Sequence, residues 1–136
     1  MPFEELPHTA DWAVRIWSDD LRGLLAESVW AVNMLSGLNL AAGPGLNRRL
    51  ELQAEDAESL LVSFLSEIVY LMEQESLGVQ SLHIKRLDGN GPFWLDVELE
   101  CAAIQSVNKF IKAVTYHNLQ IRPTERGLEV EIVFDV

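Results

Sequence analysis

The chain has 136 residues, 49% hydrophobic and 23% charged, a composition that predicts one packed domain over 1–136 and excludes a disordered segment. Ten Lys and Arg stand against 21 Asp and Glu, a formal net charge of −11 that opposes strong nucleic-acid binding and is consistent with metal cations, a basic protein partner or simple solubility. No apolar run approaches the roughly 20 residues of a membrane span, Glu4 and Glu5 stand where a signal segment would be basic, and the single cysteine, Cys101, allows no internal disulfide, so the expected location is the cytoplasm.

Pro7 holds the backbone extended and cannot donate to a sheet, which places His8, Thr9, Ala10 and Asp11 at the mouth of a strand. In the strand itself Trp12, Val14 and Ile16 point one way, and Ala13, Arg15 and Trp17 the other. The alternation puts Asp11 with the second set. Small and polar side chains here fit a turn in which Thr9 and Asp11 satisfy backbone N–H groups, or a functional carboxylate at Asp11. Both readings stand on this stretch alone.

Ser18-Asp19-Asp20 supplies N-cap oxygens, and Leu21, Leu24, Leu25, Ser28, Val32 and Leu35 recur at helical spacing before Gly37, which predicts a helix over 21–35. Leu38 to Asn47, with Gly43-Pro44-Gly45, reads as a loop. Leu50, Leu52 and Ala54 alternate with Glu51 and Gln53 as a strand. Asp56 then caps a second helix whose stripe is Ala57, Leu60, Leu61, Phe64, Leu65, Ile68, Leu71 and Met72, with Gly78 at its end. Leu82 and Ile84 begin a run of strands, and Asp88-Gly89-Asn90-Gly91-Pro92 makes a tight connection. Phe93, Leu95, Val97, Leu99 and Cys101 share one face of the next strand. An irregular piece, Ala102 to Val107, leads into Phe110–His117, which is apolar on both sides like a strand inside a sheet. Pro123 to Gly127 turns the chain into a last strand, Leu128–Val136. The order predicts the α+β class: a largely antiparallel, sandwich-like sheet with two amphipathic helices packed on it.

Enzyme signatures are absent. No phosphate-cradling glycine loop and no serine elbow occurs. Asp88-Gly89-Asn90-Gly91 opens like a calcium loop but carries Phe93 where Gly is needed and Leu99 where Glu is needed. His8, His83, His117 and Cys101 match no zinc-ligand spacing, and alternation buries Cys101 beside Phe93 and Leu95. Leu128, Val130, Ile132 and Phe134 share a face of the last strand, so Asp135 projects with Glu129 and Glu131. The Val136 carboxylate lies one residue beyond. Should this strand end beside the start of the first, Asp11, Asp135 and that carboxylate converge, and a cation must separate them. Oxygen-only ligation suits calcium, magnesium and manganese alike, with calcium the expected ion. Lys112 shares a face with Phe110, Val114 and Tyr116; it reaches the sheet's edge, or pairs with a carboxylate such as Glu129 or Glu131, or stands beside the Asp11 and Asp135 carboxylates.

His8-Thr9-Ala10-Asp11, Lys112-Ala113-Val114-Thr115-Tyr116-His117 and the terminal Phe134-Asp135-Val136, with Glu55-Asp56 opening a Leu-rich helix, together resemble the archease family over essentially the whole chain. The resemblance implies an accessory protein rather than an enzyme: an activator of the RtcB-type RNA-splicing ligase in tRNA processing, promoting guanylylation and repeated turnover of that ligase. It implies metal ligation by Asp11, Asp135 and Val136, and a partner-activating role for Lys112 and His8. A small acidic metal-binding or chaperone-like module with another client is the alternative. The chain departs from the family pattern in the short, mostly apolar stretch Cys101–Asn108 and in Trp17-Ser18-Asp19-Asp20 before the first helix.

Overall fold

A computed structural model describes residues 2–6, 12–89 and 92–136. Among them the order is β1 (Phe3–Leu6), β2 (Trp12–Ser18), α1 (Leu21–Ser36), β3 (Asn39–Leu40), β4 (Leu46–Ala54), α2 (Ala57–Glu75), β5 (Leu77–Gly89), β6 (Phe93–Ser106), β7 (Ala113–Val114), β8 (Arg122–Thr124) and β9 (Gly127–Asp135). The two helices start where capping chemistry places them. Asp20 accepts a hydrogen bond from the Gly23 N–H at 2.8 Å, and Asp56 accepts one from Ser59 at 2.7 Å. That bond to Ser59 also holds the Asp56 carboxyl below its usual range. At its far end α1 closes on Gly37 in the left-handed conformation, φ 63°.

The expected end of α2 at Gly78 is corrected. Ser76 takes the left-handed conformation and stops the helix, and Gly78 already lies in β5. A Cβ at Gly78 would stand 2.6 Å from side-chain carbons of both Leu38 and Leu40, so the glycine admits the chain that follows α1.

The strands form two antiparallel sheets. One has five strands, in the order β1-β2-β9-β7 with β8 also on β9. The other has four, with β6 between β5 on one side and β4 and β3 on the other. The α+β reading with two packed helices holds. Val14, Ile16, Val130, Ile132 and Phe134 from the first sheet and Leu95, Val97, Leu99 and Cys101 from the second face one core with both helices. Cys101 is fully buried, and burial pushes its thiol up, as expected of a core cysteine and not of a nucleophile.

Two stretches differ from the sequence reading. Ala102 to Val107 is not irregular: β6 runs unbroken to Ser106, because Ala102 and Ala103 pair with Gly78 and Leu77 while Ile104 pairs with Leu40. Phe110–His117 is not a strand inside a sheet. Only Ala113 and Val114 pair, at the edge of β9, and Ile111 and Val114 are buried while Phe110 and Tyr116 are exposed. A spacing of three between the buried residues marks a segment that turns along the rim.

The outer face of the second sheet is a lattice of ion pairs. Arg49 bridges Asp96 and Glu51, and Lys85 meets Glu98 at 2.8 Å. These contacts hold the Asp96 and Glu98 carboxyls below their usual range. The pattern is a solvated face.

Candidate functional site

The first sheet brings the chain's two ends together. β2 and β9 pair antiparallel with Trp12 opposite Phe134, Val14 opposite Ile132 and Ile16 opposite Val130. The start of β2 therefore lies beside the end of β9, which is the arrangement that a meeting of Asp11 with Asp135 requires. Asp11 and His8 themselves lie outside the described residues.

Asp135 is exposed and stands opposite Ala113. Among the described residues no Lys or Arg comes within ion-pair distance of it. Its backbone carbonyl accepts the Lys112 N–H at 2.7 Å, so the lysine is tied to the last strand at this residue. Val136 is half-buried and packs against the core. Its side chain anchors the end of β9 by the same apolar contact that forms the rest of the sheet.

Lys112 is exposed, and its ammonium makes no ion pair with a described carboxylate. Of the alternatives for this lysine, pairing with Glu129 is not found: that carboxylate faces Arg126 at 3.6 Å and Arg15 at 4.0 Å, near the opposite end of β9. Glu131 makes no such contact either. Nor does Lys112 share a strand face with Phe110 and Tyr116, because only Ala113 and Val114 of this segment form a strand.

The segment that carries Lys112 is fixed at both ends. Upstream, the Asn108 and Lys109 N–H groups reach the Ser36 carbonyl at 2.8 and 3.3 Å, at the close of α1. Downstream, the Thr115 N–H and Oγ1 both donate to the Val133 carbonyl, at 3.0 and 2.9 Å. Lys109 is the residue at this end that sequence reading missed. Its ammonium lies 5.9 Å from the centre of the Trp12 ring. The available signal was a second lysine three positions before Lys112 in a chain with few cations.

The remaining candidates do not gather here. His83 and His117 are exposed and far apart in the chain, and Cys101 is in the core. Among the described residues no three His, Cys, Asp or Glu side chains form a cluster for a metal ion. Asp135 and Val136 supply oxygen donors only, the donor type that suits calcium, magnesium or manganese. No described helix is long and apolar enough to cross a membrane.

Comparisons with known proteins agree with this architecture. The chain is 28% identical to protein archease of Methanopyrus kandleri, with all of both chains covered. It is 25% identical to protein archease of Archaeoglobus fulgidus, again over both full lengths. The solution structure of Methanobacterium thermoautotrophicum protein 1598 superposes with a TM-score of 0.74 at 20% identity, covering 99% of each chain. The crystal structure of an archease from Thermotoga maritima, named there a possible chaperone, gives 0.72 at 23% identity over 98% of this chain and 96% of that one. These two show the fold. The profile of the Archease protein family matches residues 3–136, and the chain belongs to that family.

Proposed function

We propose that this archease is an accessory protein that activates an RtcB-type RNA ligase in tRNA processing, through a site at the paired ends of β2 and β9. Asp11, Asp135 and the Val136 carboxylate hold a divalent cation, calcium in the first place and magnesium or manganese as alternatives. Lys112 and His8 act on the ligase beside it. The observation that carries the reading is the pairing of Trp12 with Phe134, which sets the residue after Asp11 opposite the residue before Asp135.

The donor set fits a hard cation, because only carboxylate oxygens are offered and Asp135 has no cationic partner among the described residues. A bound cation would supply the positive charge that lets these carboxylates stand together. The rest is the work of the protein. β7 and the Lys112 N–H hold the end of β9 in place, and the Lys112 side chain presents a charge to an acidic or phosphate group on the ligase. A net charge of −11 steers the protein toward a basic, RNA-handling partner and away from RNA itself. The chaperone-like reading, with another client, draws on the name given to the Thermotoga structure.

The test mixes the protein with the purified ligase of its own organism, GTP, a divalent cation and an RNA with joinable ends. Joined product per ligase should rise well above one with the protein and stay near one without it. Equal product in both arms would refute the ligase reading and leave the other-client one.

A further inference from the structure

We propose that the open edge of β4 pairs with the same edge of a second copy of this chain, giving a two-fold dimer in register about Leu50. Strand β4 hydrogen-bonds to β6 on one side, and on its other side no described backbone group meets it. The opposite edge of the same sheet is treated differently. There α1 covers β5, with Arg22 donating to the Ile84 carbonyl at 2.6 Å and Asn33 to the Val79 carbonyl at 3.0 Å. β4 is nine residues long, about 30 Å of strand, and every second residue turns an N–H and a C=O to this open edge without a partner among the described residues. Its core-facing side chains are also incompletely covered. Leu50 and Leu52 are only half-buried and Leu46 is 54% exposed, whereas Leu95, Val97 and Leu99 on β6 are fully buried.

The sequence of this edge complements itself in one register. An antiparallel pairing about a two-fold axis at Leu50 sets Arg49 of each copy opposite Glu51 of the other. The same register sets Asn47 opposite Gln53 on the solvated face, and Leu46 opposite Ala54 on the core side. An axis one residue away fails, because it sets Arg49 opposite Arg49, or Glu51 opposite Glu51. Like charges directly opposite are destabilising, so charge favours the Leu50 register over both of its neighbours, and it alone sets Arg49 opposite Glu51. The guanidinium has capacity for the added contact: Nε and Nη2 hold Asp96 and Glu51 of the same chain, while Nη1 has no partner among the described residues. The edge belongs to the other sheet from Asp135, so the pairing uses none of the residues assigned to ligase activation and stands independently of that reading.

The test is mass in solution by sedimentation or light scattering over a concentration series. The wild-type chain, 15.3 kDa, should shift to twice that mass as concentration rises. Glu51→Arg and Arg49→Glu should each remain monomeric, with folding checked by circular dichroism. Mixing those two variants in equal amounts should restore the dimer, because both facing pairs again have opposite sign. A wild-type protein that stays monomeric, a Glu51→Arg dimer of undiminished stability, or a mixture that stays monomeric would overturn the proposal. Hydrogen exchange of the wild-type protein decides without any variant: outward amides of β4 should gain protection as the dimer forms, and unchanged protection there refutes the pairing.

Discussion

Thr115 ties the segment that carries Lys112 to the last strand, and replacing it with Val isolates what its hydroxyl contributes. Oγ1 donates to the Val133 carbonyl at 2.9 Å in a partly buried setting, and accepts from the exposed His117 N–H at 3.3 Å. The second contact is long and exchanges readily with water, so the first dominates, at about 1 kcal/mol net. An unfolding entropy of about 2.1 cal/mol/K per residue, over this chain, converts that loss to a fall in melting temperature of about 3–4 °C. The Lys112 N–H bond to Asp135 is untouched by the change, so ligase activation should persist. Calorimetric melting of wild type, Thr115→Val and Thr115→Ser decides the matter, because Ser keeps the hydroxyl and Val keeps the methyl. Thr115→Val melting with the wild type, or Thr115→Ser falling further than Thr115→Val, would show that the hydroxyl does not hold this segment.

Asp56 has its carboxyl held down by the hydrogen bond it accepts from Ser59, so its contribution is present above the usual carboxylate range and is lost as pH falls through the lowered value. Melting of Asp56→Asn should therefore fall less than that of wild type between about pH 5 and pH 3; parallel falls would assign the acid sensitivity to other groups. One residue added after Val136 replaces a carboxylate by a peptide group, and calorimetric titration with calcium should show weaker binding in that variant than in wild type. Equal affinity would remove the Val136 carboxylate from the proposed ligand set. The isolated protein should give no anisotropy change with RNA at physiological salt, since a charge of −11 opposes phosphate contacts; saturable binding would contradict that charge argument.

Residues with a local cause were legible in the sequence. Asp20 and Asp56 announce both helix starts, because a side-chain oxygen there satisfies an N–H three residues on. Alternation in Val14–Ile16, Leu95–Cys101 and Val130–Phe134 gave the core faces correctly, since each of these strands lays one side on the helices. What depends on a distant partner was not legible. β1 is four residues between Pro2 and Pro7 and exists because β2 offers an edge to Phe3–Leu6. Ala102 to Ser106 lacks alternation, yet Leu77, Gly78 and the short β3 extend the ladder along it. Phe110–His117 has the composition of an interior strand but finds only Phe134 and Asp135 to pair with, so most of it runs along the rim. At the candidate site, polarity and placement picked out Asp135, while the meeting of the strand ends needed the register of Trp12 with Phe134. Lys109 became visible only through its packing over Trp12.

In the proposed activation of a ligase, the carboxylate end of β9 and the lysine tied to it work together. The most direct measurement is joined RNA per ligase over time, with wild type, Asp135→Asn and Lys112→Ala compared side by side in one calcium- and GTP-containing assay. Each side chain is exposed, and losing it should change stability by less than about 0.5 kcal/mol, so circular dichroism and melting should match the wild type. Wild type should carry the ligase through many turnovers, and both folded variants should leave it near a single one. Multiple turnover supported by either folded variant would show that Asp135 and Lys112 do not act together on the ligase.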